Sequence, residues 1–205
     1  MKAALKTVGD RYSLAERQRL AVSRAAGADA SLVRRRATCL DIDRVRGEHL
    51  IIDGFNLIVT AEAALSGGLL ILCRDGCIRD MSSVHGSYRS VQETEVAIRL
   101  IGDALASLGP RSARWLLDRP VSNSGRLAQK IKETAEARGW PWSVEVIFNP
   151  DAEILASDHI AVTSDSVILD SAARWVNFTG HLIRQQLPQS WVIDLGAEPS
   201  LNQTL

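Results

Sequence analysis

Cysteine is scarce: Cys39, Cys73 and Cys77 are all there are in 205 residues. An odd count without a secretory leader argues against a disulfide framework. Cys73 and Cys77 form one C-x3-C pair, and no second Cys/His pair of suitable spacing follows. A structural zinc site needs about four ligands, so two buried or strand-end thiols are expected instead. Long apolar runs are missing as well. No window approaches the ~18 uninterrupted apolar residues of a membrane helix. The start, Met1-Lys2-Ala3-Ala4-Leu5-Lys6, carries charge without the apolar stretch of a secretory signal. These absences lead to the expectation of a cytoplasmic chain with no membrane partner. Several enzyme motifs are also lacking: G-x-G-x-x-G, a Walker lysine loop, a G-x-S-x-G elbow, and the D-x-D of haloacid-dehalogenase-like phosphatases.

Net charge is zero, from 24 Lys and Arg against 24 Asp and Glu, yet the charge is unevenly spread. Residues 1–46 hold eleven basic and five acidic side chains, and residues 47–205 hold thirteen and nineteen. A basic arm on an acidic body suits a nucleic-acid enzyme with a carboxylate site.

Periodicity divides the chain at the same place. Residues 13–26 read as a helix opened by a capping box at Ser13 and Glu16, and residues 29–44 as a second helix. Beyond residue 46 strands and helices alternate. Strands are expected at 49–53, 113–117, 144–148 and 160–163, with late short ones at 175–178 and 191–193. A hairpin is expected around Asp75-Gly76, and helices at 59–66, 91–108, 125–138, 165–173 and 180–186. Continuous apolar strands between helices imply a largely parallel sheet covered on both faces, with ligands at the carboxyl ends of the strands. Residues 196–205 read as a loose tail.

Aspartates stand at those strand ends. Ile51-Ile52 runs into Asp53, Leu116-Leu117 into Asp118, and Val162-Thr163-Ser164 into Asp165, while Asp151 and Glu153 follow the third strand. Any one of them could be an ordinary helix cap or turn former. Three at the ends of successive parallel strands should converge on one edge of the sheet. Crowded carboxylates repel unless a cation neutralises them, and hard oxygen ligands suit Mg²⁺ or Mn²⁺.

Ile52-Asp53-Gly54-Phe55-Asn56-Leu57 resembles the IDGxN signature of PIN-like and NYN ribonuclease domains. Val162-Thr163-Ser164-Asp165 resembles the strand-end aspartate of the same fold, and Asp118 matches its intermediate acid. With RYSLAERQRL, LLILCRDGCIRDMSSVHGSYR, DRPVSNSG and FNPDAEILASD, the chain resembles a prokaryotic domain-of-unknown-function family in which a helical N-terminal region precedes a PIN-like domain. The resemblance covers residues 11–194 or so.

It implies an α/β protein with a three-layer α/β/α PIN-like domain over 47–205 and a mostly parallel central sheet. A small basic helical region, 1–46, precedes it. Asp53, Asp118 and Asp165 would be catalytic metal ligands for Mg²⁺ or Mn²⁺, joined by a helix acid, Glu95 or failing that Glu93. Asp151, Glu153 and Asp158 compete for the remaining place, with Asp151 taken first. Asn56 would orient the first-strand loop or touch a phosphate. Ser122 and Ser124, after Asp118, stand where a helix N-terminus could receive a phosphate. Arg79, His85, Tyr88 and Arg89 lie in a polar segment suited to phosphate binding or base stacking, and Arg34, Arg35 and Arg36 could follow an RNA backbone. The implied function is metal-dependent ribonuclease with RNA as partner and a homo-oligomer as a further expectation. The alternatives are an inactive RNA- or protein-binding adaptor and a small-molecule phosphohydrolase.

Overall fold

The computed structural model of the protein describes residues 2–82 and 88–196. Three helices come first: α1 (Lys2–Arg11), α2 (Glu16–Ala25) and α3 (Asp29–Thr38). Strand β1 (Cys39–Leu40) and a 3-10 turn (Ile42–Val45) lead to β2 (His49–Asp53) and α4 (Gly54–Leu65). The hairpin β3 (Leu70–Leu72) and β4 (Ile78–Asp80) precedes α5 (Thr94–Leu108), β5 (Ser112–Asp118), α6 (Ser124–Arg138) and β6 (Trp142–Ile147). Then follow α7 (Pro150–Ala156), β7 (Ile160–Val162), α8 (Ser166–Leu169), β8 (Trp175–Val176), α9 (Phe178–Gln186) and β9 (Val192–Asp194).

Six strands form one sheet in the order β1-β8-β7-β2-β5-β6, and every pairing in it is parallel. Successive residues of β2 go to opposite faces. Leu50 and Ile52 join the main core with Ile58 of α4, Ile101 of α5, Ile131 of α6 and Leu182 of α9. Ile51 joins a second core with Ile154 of α7 and Ile168 and Leu169 of α8. Helices therefore cover both faces, which is the three-layer α/β/α arrangement expected for a sheet of continuous apolar strands. A second, small sheet has the order β4-β3-β9, its hairpin turning at Gly76 with φ 80°.

Several boundaries differ from the periodicity. A helix that the periodicity did not predict, α1, precedes the expected one over 13–26, which itself begins only at Glu16, because Ser13 takes a left-handed φ of 49° and cannot cap. The amide of Ala15 instead donates to Gln18 Oε1 at 2.9 Å. The second helix stops at Thr38, where Cys39–Leu40 is drawn into the sheet beside β8. Helix α4 starts directly after Asp53 rather than at residue 59, and α7 fills a stretch with no strong apolar period.

Gly54 makes the abrupt strand-to-helix junction possible. A Cβ there would meet the Leu116 carbonyl oxygen at 2.8 Å and Leu117 Cδ2 at 2.7 Å. Gly54→Ala is therefore expected to cost about 1–3 kcal/mol through overpacking against backbone that cannot rotate away. Urea denaturation checks this, and an unchanged midpoint would show that the junction yields.

The N-terminal helices are joined to the body by polar contacts. Arg35 is buried, with its side chain only 4% exposed. Its guanidinium pairs with Asp75 at 2.7 Å and donates to Asp170 at 2.7 Å and to the Ser166 carbonyl at 3.1 Å. Ala25 of α2 packs with Ile71 and Cys73. The expected basic stripe over Arg34, Arg35 and Arg36 is thus corrected: Arg34 and Arg36 are exposed, but Arg35 points into the protein because Asp75 lies beneath α3. Among the described residues no helix is long and apolar enough to cross a membrane. The tail expected over 196–205 lies outside the described residues after Gly196.

Candidate functional site

Strands β7, β2, β5 and β6 are neighbours and parallel, so their carboxyl ends lie along one edge. Each delivers an acid there. Asp53 ends β2, Asp118 ends β5, Asp151 sits in the first turn of α7 just after β6, and Asp165 caps α8 after β7. All four line one groove of about 480 Å³, with Asn56, Phe55, Arg24, Arg79 and Asp80 among its other walls.

Asp53 is the most enclosed of the four, at 9% exposure. Its Oδ2 accepts from the Thr163 hydroxyl at 2.8 Å, and Thr163 Oγ1 in turn accepts the amide of Asp165 at 3.0 Å. Burial pushes the Asp53 carboxyl up to about 7. Thr163 opposes that rise, and Asp165 and Asp151 add to it. Asp118 is raised by desolvation and then by Asp151, and Asp151 by desolvation at the groove wall and then by Asp165. The acids feel one another, since the charges of Asp165 and Asp151 both add to the rise at Asp53. One oxygen of Asp165 is occupied locally, Oδ1 accepting from the Val167 amide at 2.6 Å. Asn56 orients the loop: its Oδ1 accepts from the Ser164 amide at 2.8 Å and the Ser164 hydroxyl at 2.9 Å.

The donor set is all oxygen, which suits Mg²⁺ or Mn²⁺ over softer metals. Among the described residues, however, no three Asp, Glu, His or Cys side chains stand together closely enough to hold an ion by themselves. Mg²⁺ commonly keeps several waters and binds through one or two carboxylates, so the groove fits a partly hydrated ion better than an all-protein cage.

Other expected site residues fall elsewhere. Glu95 is not beside the strand ends: it is exposed on α5, 3.4 Å from Lys130 and 3.7 Å from Arg99, because the helix turns it outward to those cations. Glu93 holds the N-cap position of α5. Tyr88 is a support. Its hydroxyl bonds to the buried Glu62, and its ring meets Phe55 edge-on with centroids 5.3 Å apart. Ser122 is exposed and Ser124 buried, and the groove wall there is Val121 instead. Arg89 is exposed and not part of the groove. His85 lies outside the described residues. Arg79 does line the groove, but its guanidinium is committed to Asp75, the Ser164 carbonyl and the Arg24 carbonyl.

Two groove residues were not among the expected site residues, although Asp80 lies in the polar segment that begins at Arg79. Arg24, in the last turn of α2, donates to the Asp80 and Ser82 carbonyls, and its Nη1 is 3.9 Å from Asp80 Oδ1. Asp80 is buried, accepting from Thr60 Oγ1 at 2.8 Å and the Ser82 amide at 2.7 Å. Asp75 stands behind them, 1% exposed, shared by Arg35 and Arg79. Those two arginines hold the Ser166 and Ser164 carbonyls, which flank Asp165.

A family model described as "Domain of unknown function (DUF5616)" matches residues 42–181. The chain belongs to that family. Ahead of the DUF5616 segment, residues 1–37 match a second model, "Protein of unknown function (DUF434)". The chain is also similar to the uncharacterized protein MJ0935 of Methanocaldococcus jannaschii, 32% identical over 168 residues, covering 82% of this chain and 80% of that protein. No solved structure matches it. The four strand-end aspartates all belong to the DUF5616 segment, whereas Arg24 and Arg35 come from the DUF434 segment.

Proposed function

We propose that the protein is a cytoplasmic, divalent-metal-dependent ribonuclease with a PIN-like domain, hydrolysing RNA phosphodiester bonds at the carboxylate groove. Its main support is the meeting of Asp53, Asp118, Asp151 and Asp165 from four adjacent strand ends, with Asp53 raised to about 7. Strongly shifted acids in a cleft are functional candidates. Mutual repulsion of this kind does nothing for folding, and a bound cation would relieve it.

Those four aspartates would hold Mg²⁺ or Mn²⁺. When bound, such an ion acidifies water and neutralises the charge that develops on a phosphate. The rest of the site positions and screens. Thr163 fixes the rotation of the Asp53 carboxylate, and Asn56 ties the start of α4 to the loop of Asp165. Arg24 lines the groove's rim while donating to the Asp80 and Ser82 carbonyls, and its positive charge would still draw a phosphate there.

The deciding experiment is cleavage of a mixed RNA pool with Mn²⁺, beside an Asp53→Asn control. Cleavage by the parent and a loss of about a hundredfold or more in the variant is expected, since a metal-bound phosphate carries several kcal/mol of transition-state stabilisation. Equal turnover by both proteins would remove the metal role. A second reading, an inactive RNA- or protein-binding adaptor on the same fold, is favoured by the lack of a ready-made three-acid cluster among the described residues. Tight RNA binding with no cleavage under any divalent ion would select it.

A further inference from the structure

Next to the carboxylate groove lies a larger cavity, about 640 Å³, of a different character. Its walls are mostly apolar: Ala21 and Val22 of α2, Met81, Trp191, Ile193 and Leu195. Trp191 is 61% exposed, and Ile193 and Leu195 are each 40% exposed. Alternate residues of a strand share a face, so these three form one apolar stripe along β9, an edge strand of the small sheet. The backbone of Gly67 and Gly68 forms another wall.

The two cavities adjoin. Ser82 belongs to both. Helix α2 serves both as well, turning Arg17, Gln18, Ala21 and Val22 to the apolar one and Ser23 and Arg24 to the acidic one. Arg17 is exposed and has no ion pair among the described residues. A ligand lying across both would need a flat apolar group at one end and an anionic link able to lie along two arginines toward the aspartates.

We propose that this cavity is a subsite for an unpaired nucleobase of single-stranded RNA, with the adjoining phosphate passing along Arg17 and Arg24 into the carboxylate groove. The proposal rests on the ribonuclease reading for the second half of that path, and on the cavity alone for the first. Its volume is within the ~300–1,000 Å³ of ligand pockets, which is room for a base and its ribose. Tryptophan stacks on any base, so the subsite would be tolerant of sequence. It would exclude base-paired RNA, whose bases are not free to leave the stack.

The test uses the full chain carrying Asp53→Asn, which is expected to hold RNA without cutting it and removes one repelling carboxylate. Binding of a fluorescent oligoadenylate and of an abasic oligomer of the same length is measured with Mg²⁺, with and without Trp191→Ala. A base stacked on an aromatic contributes ~1–3 kcal/mol, so Trp191→Ala is expected to weaken oligoadenylate binding by roughly 5- to 150-fold and leave the abasic oligomer unchanged. Trp191 is exposed, and a folding defect would show in the thermal midpoint. Arg17→Ala is expected to weaken both oligomers alike and to flatten the salt dependence.

Equal affinities of the two proteins for oligoadenylate overturn the subsite. So does a Trp191→Ala effect seen only as a change of oligomeric state in sedimentation, which would make the stripe a contact between copies. The two readings fail separately. No Mn²⁺-dependent cleavage, with the base-dependent Trp191 effect intact, removes the nuclease and keeps the subsite. Cleavage by the parent chain with KM on oligoadenylate unmoved by Trp191→Ala removes the subsite and keeps the nuclease.

Discussion

Without divalent ions, Asp53→Asn is expected to be the more stable protein at pH 8 and no more stable than the parent near pH 4. The sign follows from the raised carboxyl. Asp53 ionises at about 7 when folded, against an ordinary value of 3.8. Below ~4 the proton is bound in both states and the group has no effect. Between ~4 and ~7 the unfolded chain releases the proton and the folded chain keeps it, so stability falls as pH rises. Above ~7 the penalty is complete. Three units at 1.36 kcal/mol each set an upper limit of about 4 kcal/mol. An uncharged amide at position 53 escapes it and can still accept from the Thr163 hydroxyl. Urea unfolding of both proteins at pH 4, 6 and 8 in EDTA checks the expectation, and parallel pH curves would refute it. Adding Mn²⁺ at pH 8 is expected to recover the parent and to leave the variant nearly unmoved. A gain of equal size in both proteins would mean that the ion binds elsewhere.

The second large effect concerns Asp75, which is far from being a groove ligand. Asp75→Ala is expected to cost about 3–5 kcal/mol, because it leaves the Arg35 and Arg79 guanidiniums buried without their shared anion. Burial alone would raise the Asp75 carboxyl, yet Arg79 and Arg35 outweigh it and hold the group below the usual carboxylate range. A lowered carboxyl contributes stability that is present above ~4 and fades as pH falls through the folded value. The parent and Asp75→Ala should therefore differ most near neutral pH and converge in acid. Urea midpoints across that range test this, and a constant difference would mean that packing, not charge, is what the mutation removes. The same change is expected to loosen Asp165, whose flanking carbonyls at Ser164 and Ser166 are held by these arginines.

Much of the fold was readable in advance, for a simple reason. Leu50-Ile51-Ile52 is apolar on both sides and closes on Asp53, which is how a strand buried on two faces and ending at a loop must look. The same pattern marks Asp118 and Asp165, so the acidic edge follows from parallel order alone. What escaped were contacts between residues distant in sequence. Arg35 looks like its neighbours Arg34 and Arg36, and nothing local says that Asp75, forty positions on, lies beneath it. Glu95 sits beside the apolar stripe of its helix, where register cannot separate an inward tilt from a pair with Lys130. Tyr88 reads as a stacking residue by composition, but its partner is the buried Glu62. Arg24 gave no local sign of its place on the groove, since a cation in a last helical turn is ordinary.

The carbonyl of Arg24 receives Arg79, its guanidinium closes on Asp80 and Ser82, and Arg35 fills the other side of Asp75. Excision of residues 1–37 would therefore strip one bank from the groove and leave Asp75 with a single counter-charge. A shortened chain of that kind is the wrong material for an assay of the acidic edge, and an inactive result from it would say nothing about the chemistry. Grafting the N-terminal segment of a relative onto this body has the same requirement: unless it supplies guanidiniums at positions 24 and 35, the hybrid inherits a breach beside its own carboxylates.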